Sequence, residues 1–184
     1  MFTIQQHWLH PAIKLPSPNF NERPDPSDIS LLVIHCISLP PAQYGGDAIE
    51  RFFTNQLNPD EHPYFASIAT LTVSAHLLIR RDGQVTQFVG FDQRAWHAGK
   101  SEFDGRQNCN DFSIGIELEG TDSDRYTDTQ YEILQAITRS LLAAYPRITP
   151  ERIVAHSAIA PQRKTDPGPG FDWARYCASL SLLE

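Results

Sequence analysis

Two rhythms of apolar residues run through this chain. The segment 30–36, SLLVIHC, is nearly continuous in apolar side chains and reads as a buried strand, ended by Pro40 and Pro41. Residues 112–119, FSIGIELE, alternate instead, which predicts a strand with Gly115, Glu117 and Glu119 on one face and Ile114, Ile116 and Leu118 on the other. Helical spacing takes over at Gly46 to Leu57, where Ile49, Phe52, Phe53 and Leu57 share a stripe. The strongest helix signal spans Asp128 to Tyr145. Ile133, Leu134, Ile137, Leu141 and Leu142 line one side, Thr127 or Asp128 can cap its start, and Pro146 stops it.

Shorter signals fill the gaps. Residues 72–90 read as a hairpin turning at Asp82-Gly83, and residues 152–156, RIVAH, as a brief strand ending in histidine. Phe171 to Leu183 closes the chain as a helix with Asp172 near its start. Residues 1–28, rich in proline, read as irregular, as do the long polar segment 91–111 and the loop from Ala158 to Gly170. The order strand, helix, hairpin, strand, helix, strand, helix predicts an α/β (α+β) fold. It is a single domain over 1–184, with a central mixed β-sheet flanked by helices.

Composition narrows the function without naming it. A length of 184 residues suits one core, and a net charge of −7 argues against non-specific binding to nucleic acid or anionic lipid. No stretch approaches the roughly 18 apolar residues of a membrane span. The N-terminus MFTIQQHWLHP lacks the features of a secretory signal, so cytoplasmic residence is the expectation. Three widely spaced cysteines form neither a disulfide framework nor a thiolate metal motif.

The chemistry concentrates in three places. His35 and His156 each stand at the C-terminal end of a short apolar strand, where sheets of this kind present ligands. Asp166 follows in the loop RKTDPG. Two imidazoles and one carboxylate are a usual protein shell for a single catalytic Zn2+, with the fourth position left to water. Lys164, two residues before Asp166, can stabilise an oxyanion beside the metal. Glu117 and Glu119 share a face of a central strand, and one of them is expected to serve as proton carrier; the face argument does not choose between them. His76, Trp96 and His97 are further candidates for substrate contact. His7, His10 and His62 read as surface residues.

The segments PSPNFNERP, LLVIHCISLPP, HPYF, SAHLLIRRDGQVTQFV, RAWHAGKS, CNDFSIGIELEGTD, YTDTQY and APQRKTDPGPGFDW resemble the AmpD-type 1,6-anhydro-N-acetylmuramyl-L-alanine amidases, within the type 2 amidase and peptidoglycan-recognition-protein superfamily. The resemblance runs from about residue 16 to 176. It implies zinc held by His35, His156 and Asp166, Glu117 rather than Glu119 as general base, and Lys164 against the oxyanion. It implies a cytoplasmic enzyme that cuts the lactyl–L-alanine amide of imported anhydro-muropeptides in cell-wall recycling, and thereby influences β-lactamase induction; a monomer is the separate expectation. Cys36, Ala158 and Gln162 depart from the family pattern, and Thr72 and Asn108 stand near positions where arginines for the stem peptide are expected. Arg106, with Arg80, Arg81 and Arg94, is a candidate replacement. Residues 38–64 are expected to fold over the site. A non-catalytic wall-fragment binder and an amidase of polymeric wall are the alternatives. The complete ligand set disfavours the first; Glu117 and the absent signal disfavour the second.

Overall fold

Every strand and helix near the centre of the fold serves one requirement, that the run 31–37 be covered on both faces. The computed structural model describes residues 1–178 and 180. In chain order the strands and helices are β1 (Thr3–Gln5), β2 (Trp8–His10), β3 (Ile13–Lys14), β4 (Phe20–Glu22), β5 (Leu31–Ile37), α1 (Ala48–Phe53), α2 (Pro63–Ile68), β6 (Leu77–Ile79), β7 (Val85–Gln87), β8 (Gln93–Ala95), β9 (Glu102–Phe103), β10 (Arg106–Gln107), β11 (Ser113–Glu119), α3 (Asp128–Ala144), β12 (Ile153–Ala155), α4 (His156–Ile159) and α5 (Trp173–Ala178).

Six strands form the central sheet in the order β12-β5-β11-β6-β7-β3. β12, β5, β11 and β6 run parallel, and β6 turns back antiparallel into β7, so the sheet is mixed. A parallel sheet is buried on both sides, which explains the unbroken apolar run of β5. On one face Leu32, Ile34, Ile114, Ile116 and Leu118 pack against Leu134, Ile137 and Leu141 of α3. On the other, Leu31 and Val33 meet Ala98, Cys109 and Phe112, while Leu78 meets Phe52, Phe53 and Phe65 from α1 and α2. Among the described residues no helix is long and apolar enough to cross a membrane.

α3 begins as its sequence foretells. Thr127 Oγ1 accepts from Gln130 N–H at 3.1 Å, and Gln130 Oε1 accepts from Thr127 N–H at 3.0 Å, so Thr127 rather than Asp128 is the cap. Leu134 is fully buried under the sheet. Leu134→Ala is expected to lower stability by about 2–5 kcal/mol, read as a lower urea midpoint at unchanged slope.

Three expectations change. Residues 1–28 are not irregular throughout: β1 and β2 form a hairpin, β3 is the sheet's edge strand, and β4 pairs with β8. Strands of two or three residues are too short to show alternation, and β3 and β4 take their order from distant partners, Ile13↔Thr86 and Phe20↔Ala95. The same reason hides β8, β9 and β10 inside 91–111. The helix foreseen over Gly46–Leu57 is confined to Ala48–Phe53, because Gly45 and Gly46 before it and Asn55 after it take positive φ. The helix foreseen over Phe171–Leu183 is present as α5, and residues 179 and 181–184 lie outside the described residues.

Candidate metal centre and active site

Parallel pairing brings the chemistry to one rim. Glu117 on β11 stands opposite His35 on β5, and Ala155 on β12 stands opposite Ile34. His156, the next residue, therefore emerges beside His35 as the first residue of α4. The loop after α4 returns Asp166 to the same point, tied by Ser157 N–H donating to Asp166 O at 3.0 Å. Arg163 fastens this loop to the 96–100 segment by donating to the carbonyls of Ala98 and Lys100 at 2.6 and 3.0 Å.

The three residues meet through their nitrogen and oxygen donors. His35 Nδ1 lies 2.9 Å from His156 Nδ1 and 3.2 Å from Asp166 Oδ2, and His156 Nδ1 lies 3.0 Å from the same oxygen. Adjacent ligands on a tetrahedral zinc are roughly 3.3 Å apart, given bonds of about 2.0–2.1 Å. The spacing and the donor set fit a single zinc-sized cation. Charge states agree. Burial pushes the His35 imidazole down to about 4, against the hydrogen bond with Asp166, so it is neutral and offers a lone pair. Burial also works against charge on Asp166, but hydrogen bonds with His156 and His35 outweigh it and hold the carboxyl well below the usual range.

The two glutamates on β11 separate sharply. Glu119, 2% exposed, accepts from Gly45 N–H and Arg81 N–H at 2.6 and 3.1 Å and lies 3.6 Å from Arg80. It is a structural anchor for the chain after β5. Glu117 faces the cleft, and its buried Oε2 has no hydrogen-bond partner among the described residues. Burial, reinforced by the nearby Asp166 charge, raises its carboxyl well above the usual range, while Lys164 pulls the other way. A buried carboxyl without a partner is costly, and such costs collect at sites of chemistry.

The cleft has a volume of about 630 Å3, within the usual range for small-molecule sites. One side is polar, with His35, Glu117, His156, Lys164 and Asp166; the other is apolar, with Leu39, Phe52, Phe53, Ile68 and Leu71. Trp96 lies on the wall, its Nε1–H donating to Asn21 Oδ1 at 2.6 Å, and Tyr64 stands half-exposed on α2. Residues 38–64 do border the site, through Leu39, Pro41 and α1.

Two residues foreseen as substrate contacts stand elsewhere. His76 is fully buried and does not line the cleft; its Nδ1 accepts from Gly115 N–H at 3.0 Å, and Arg23 packs at its Nε2. His76 stands just before β6, where the backbones of Gly115 and Phe88 close around it and keep solvent away. Arg106 is paired with Asp28 at 2.7 Å and stacked on Phe112, away from the cleft. Arg80 and Arg94 are likewise held by Glu50 and Asp111, and Arg81 lies over Tyr44. The cleft's cations are Lys164 and Arg163. Arg163 stood in the quoted loop motif but was hidden behind Lys164. Phe52 and Phe53, foreseen on the apolar stripe of a helix, belong to the core and also line the cleft.

A mixed sheet whose parallel strands bring two imidazoles to one rim, where the loop after α4 adds a carboxylate beside an unpartnered glutamate and a lysine, is the framework of a metal-dependent hydrolase. The chain belongs to the N-acetylmuramoyl-L-alanine amidase family, whose model matches residues 25–169, and it is an amidase. It is 58% identical over 175 residues to the 1,6-anhydro-N-acetylmuramyl-L-alanine amidase AmpD of Salmonella typhimurium (strain SL1344), covering 95% of this chain and 93% of the relative. Its fold matches the crystal structure of a selenomethionine AmpD derivative with a TM-score of 0.93 at 56% identity, over 96% of this chain and 98% of that one. It also matches the amidase AmiD of E. coli, solved in complex with anhydro-N-acetylmuramic acid-L-Ala-D-γ-Glu-L-Lys, with a TM-score of 0.61 at 26% identity, over 97% of this chain and 65% of that one.

Proposed function

We propose that this amidase hydrolyses the amide between the lactyl group of 1,6-anhydro-N-acetylmuramic acid and L-alanine in muropeptides, using one zinc ion held by His35, His156 and Asp166. The observation that carries the reading is the convergence of those three donors within 3.2 Å of one another, beside the unpartnered Glu117 Oε2. AmpD and AmiD supply the substrate class, the first by its activity and the second by its bound anhydro-muropeptide.

Zinc, when bound, supplies a Lewis acid that brings the pKa of water to about 7 and polarises the scissile carbonyl. The protein does the rest. Glu117 takes a proton at Oε2 from the attacking water and returns it to the leaving amine nitrogen. Lys164 sets a positive charge against the oxygen that becomes negative. The apolar wall with Trp96 holds the sugar ring and excludes water, while the polar side takes the peptide. The muropeptide is imported, the enzyme works in the cytoplasm as a monomer, and its product feeds cell-wall recycling, with an indirect effect on β-lactamase induction in organisms that carry that circuit. The intact donor set, with Glu117 and Lys164, favours catalysis over mere wall-fragment binding.

Mass-spectrometric assay of the purified protein on anhydro- and reducing-end muramyl tripeptides, with and without a chelator, tests this directly. Turnover of the anhydro substrate is expected, lost in chelator and restored by zinc. Undiminished turnover after complete metal removal would overturn the mechanism.

A further inference from the structure

His97 sits half-buried at the back of the cleft, fixed from every side. Its Nδ1 lies 2.9 Å from His35 Nε2, and its Nε2 lies 3.1 Å from Ser113 Oγ. Its ring lies against Gly115, where a Cβ would come within 2.5 Å of the ring atoms, so the glycine in the middle of β11 makes the room. The buried His76 ring meets it edge-on at 5.7 Å. Its backbone N–H donates to Asn110 Oδ1 at 3.1 Å, and the same oxygen takes the N–H of Ala98 at 2.7 Å. The Ala98 carbonyl in turn lies 3.2 Å from His156 Nε2. Thus one dipeptide, pinned by one asparagine oxygen, touches the outer nitrogen of both histidines whose inner nitrogens face Asp166.

We propose that His97 is a positioning residue that fixes the tautomer and ring orientation of His35, with Ser113 and Asn110 as its anchors. The proposal rests on His35 binding the metal through Nδ1. A neutral imidazole carries one proton. For Nδ1 to present a lone pair, that proton belongs on Nε2, and Nε2 then needs an acceptor. His97 Nδ1 is that acceptor, which places the His97 proton on its own Nε2, pointing at Ser113 Oγ. For His156 the acceptor is the Ala98 carbonyl, which can only accept. Outer partners of this kind raise ligand basicity and reduce the orientational freedom lost on binding. His97 therefore acts through His35, and its place on the cleft wall does not make it a substrate contact.

The test compares His97→Asn, whose side-chain oxygen overlays Nδ1, with His97→Phe, which fills the volume without an acceptor. Zinc affinity is measured by chelator competition, and the His35 Nε2–H by 15N NMR of the zinc-loaded protein, in which the metal rather than Asp166 faces Nδ1. Phenylalanine is expected to weaken zinc binding about 10–100-fold and to move the His35 Nε2–H resonance toward that of a proton without an acceptor; asparagine is expected to keep both near wild type. If phenylalanine compromises folding, seen by thermal unfolding, His97→Gln replaces it, since its amide reaches toward Ser113 and leaves no acceptor at Nδ1. Wild-type affinity and an unchanged His35 Nε2–H resonance in the variant lacking the acceptor, or equal losses in it and His97→Asn, would overturn the proposal in favour of simple packing. His35→Ala is titrated alongside: unchanged zinc binding there would remove the ligand assignment itself, and this proposal with it.

Discussion

Alanine at His156 or Asp166 is expected to abolish both stoichiometric zinc and amidase turnover. Losing an outer partner of a ligand costs about 10–100-fold in affinity, and loss of a direct donor from a set of three costs more. Asp166 shows why. Its Oδ2 stands 3.0 and 3.2 Å from the two Nδ1 atoms and is the only negative donor in the cluster. Without it, two imidazoles face each other at 2.9 Å with no carboxylate to hold a dication. Metal analysis of the dialysed variants, with turnover of an anhydro-muramyl tripeptide, checks this. Normal zinc content with normal turnover in either variant would sink the ligand assignment.

Glu117→Gln should separate binding from chemistry. The metal remains, because Glu117 is not one of the three donors, while the rate falls about 10²–10⁴-fold, the usual worth of a positioned base. The carboxyl must be ionised to accept a proton, so the wild-type rate rises with pH through its pKa, and that acidic limb should vanish in the variant. Stability gives a second reading. A carboxyl whose folded pKa is raised favours the native state below its unfolded pKa, and that advantage is lost as pH rises. Metal-free Glu117→Gln should therefore be more stable than wild type at neutral pH, with the difference shrinking in acid. A variant as active as wild type would move the proton transfer elsewhere.

The alternating run 113–119 told most of the story of the sheet. It placed Ile114, Ile116 and Leu118 against a helix and Gly115, Glu117 and Glu119 on the chemical face, as observed. It could not rank the two glutamates, since which carboxylate is quenched depends on Gly45 and Arg81, brought near only by the fold. His35, His156 and Asp166 were legible because strand ends and a distinctive loop mark them. His76 and Arg106 misled because residue type does not reveal neighbours: one is sealed under β11, the other neutralised by Asp28. The N-terminal strands were invisible because they are only two or three residues long, and β3 and β4 take their order from pairing across the molecule.

The parallel register of β12, β5 and β11 also has a consequence for how the chain reaches its active form. His35 cannot meet His156 and Asp166 until β5 and β12, far apart in sequence, have paired, and such non-local pairing is slow to nucleate because loop closure must be met first. A cation that binds there only in the native state raises the unfolding temperature roughly with the logarithm of its free concentration. Metal uptake thus reports complete folding, and a chain stalled before Asp166 has joined the cluster would carry none.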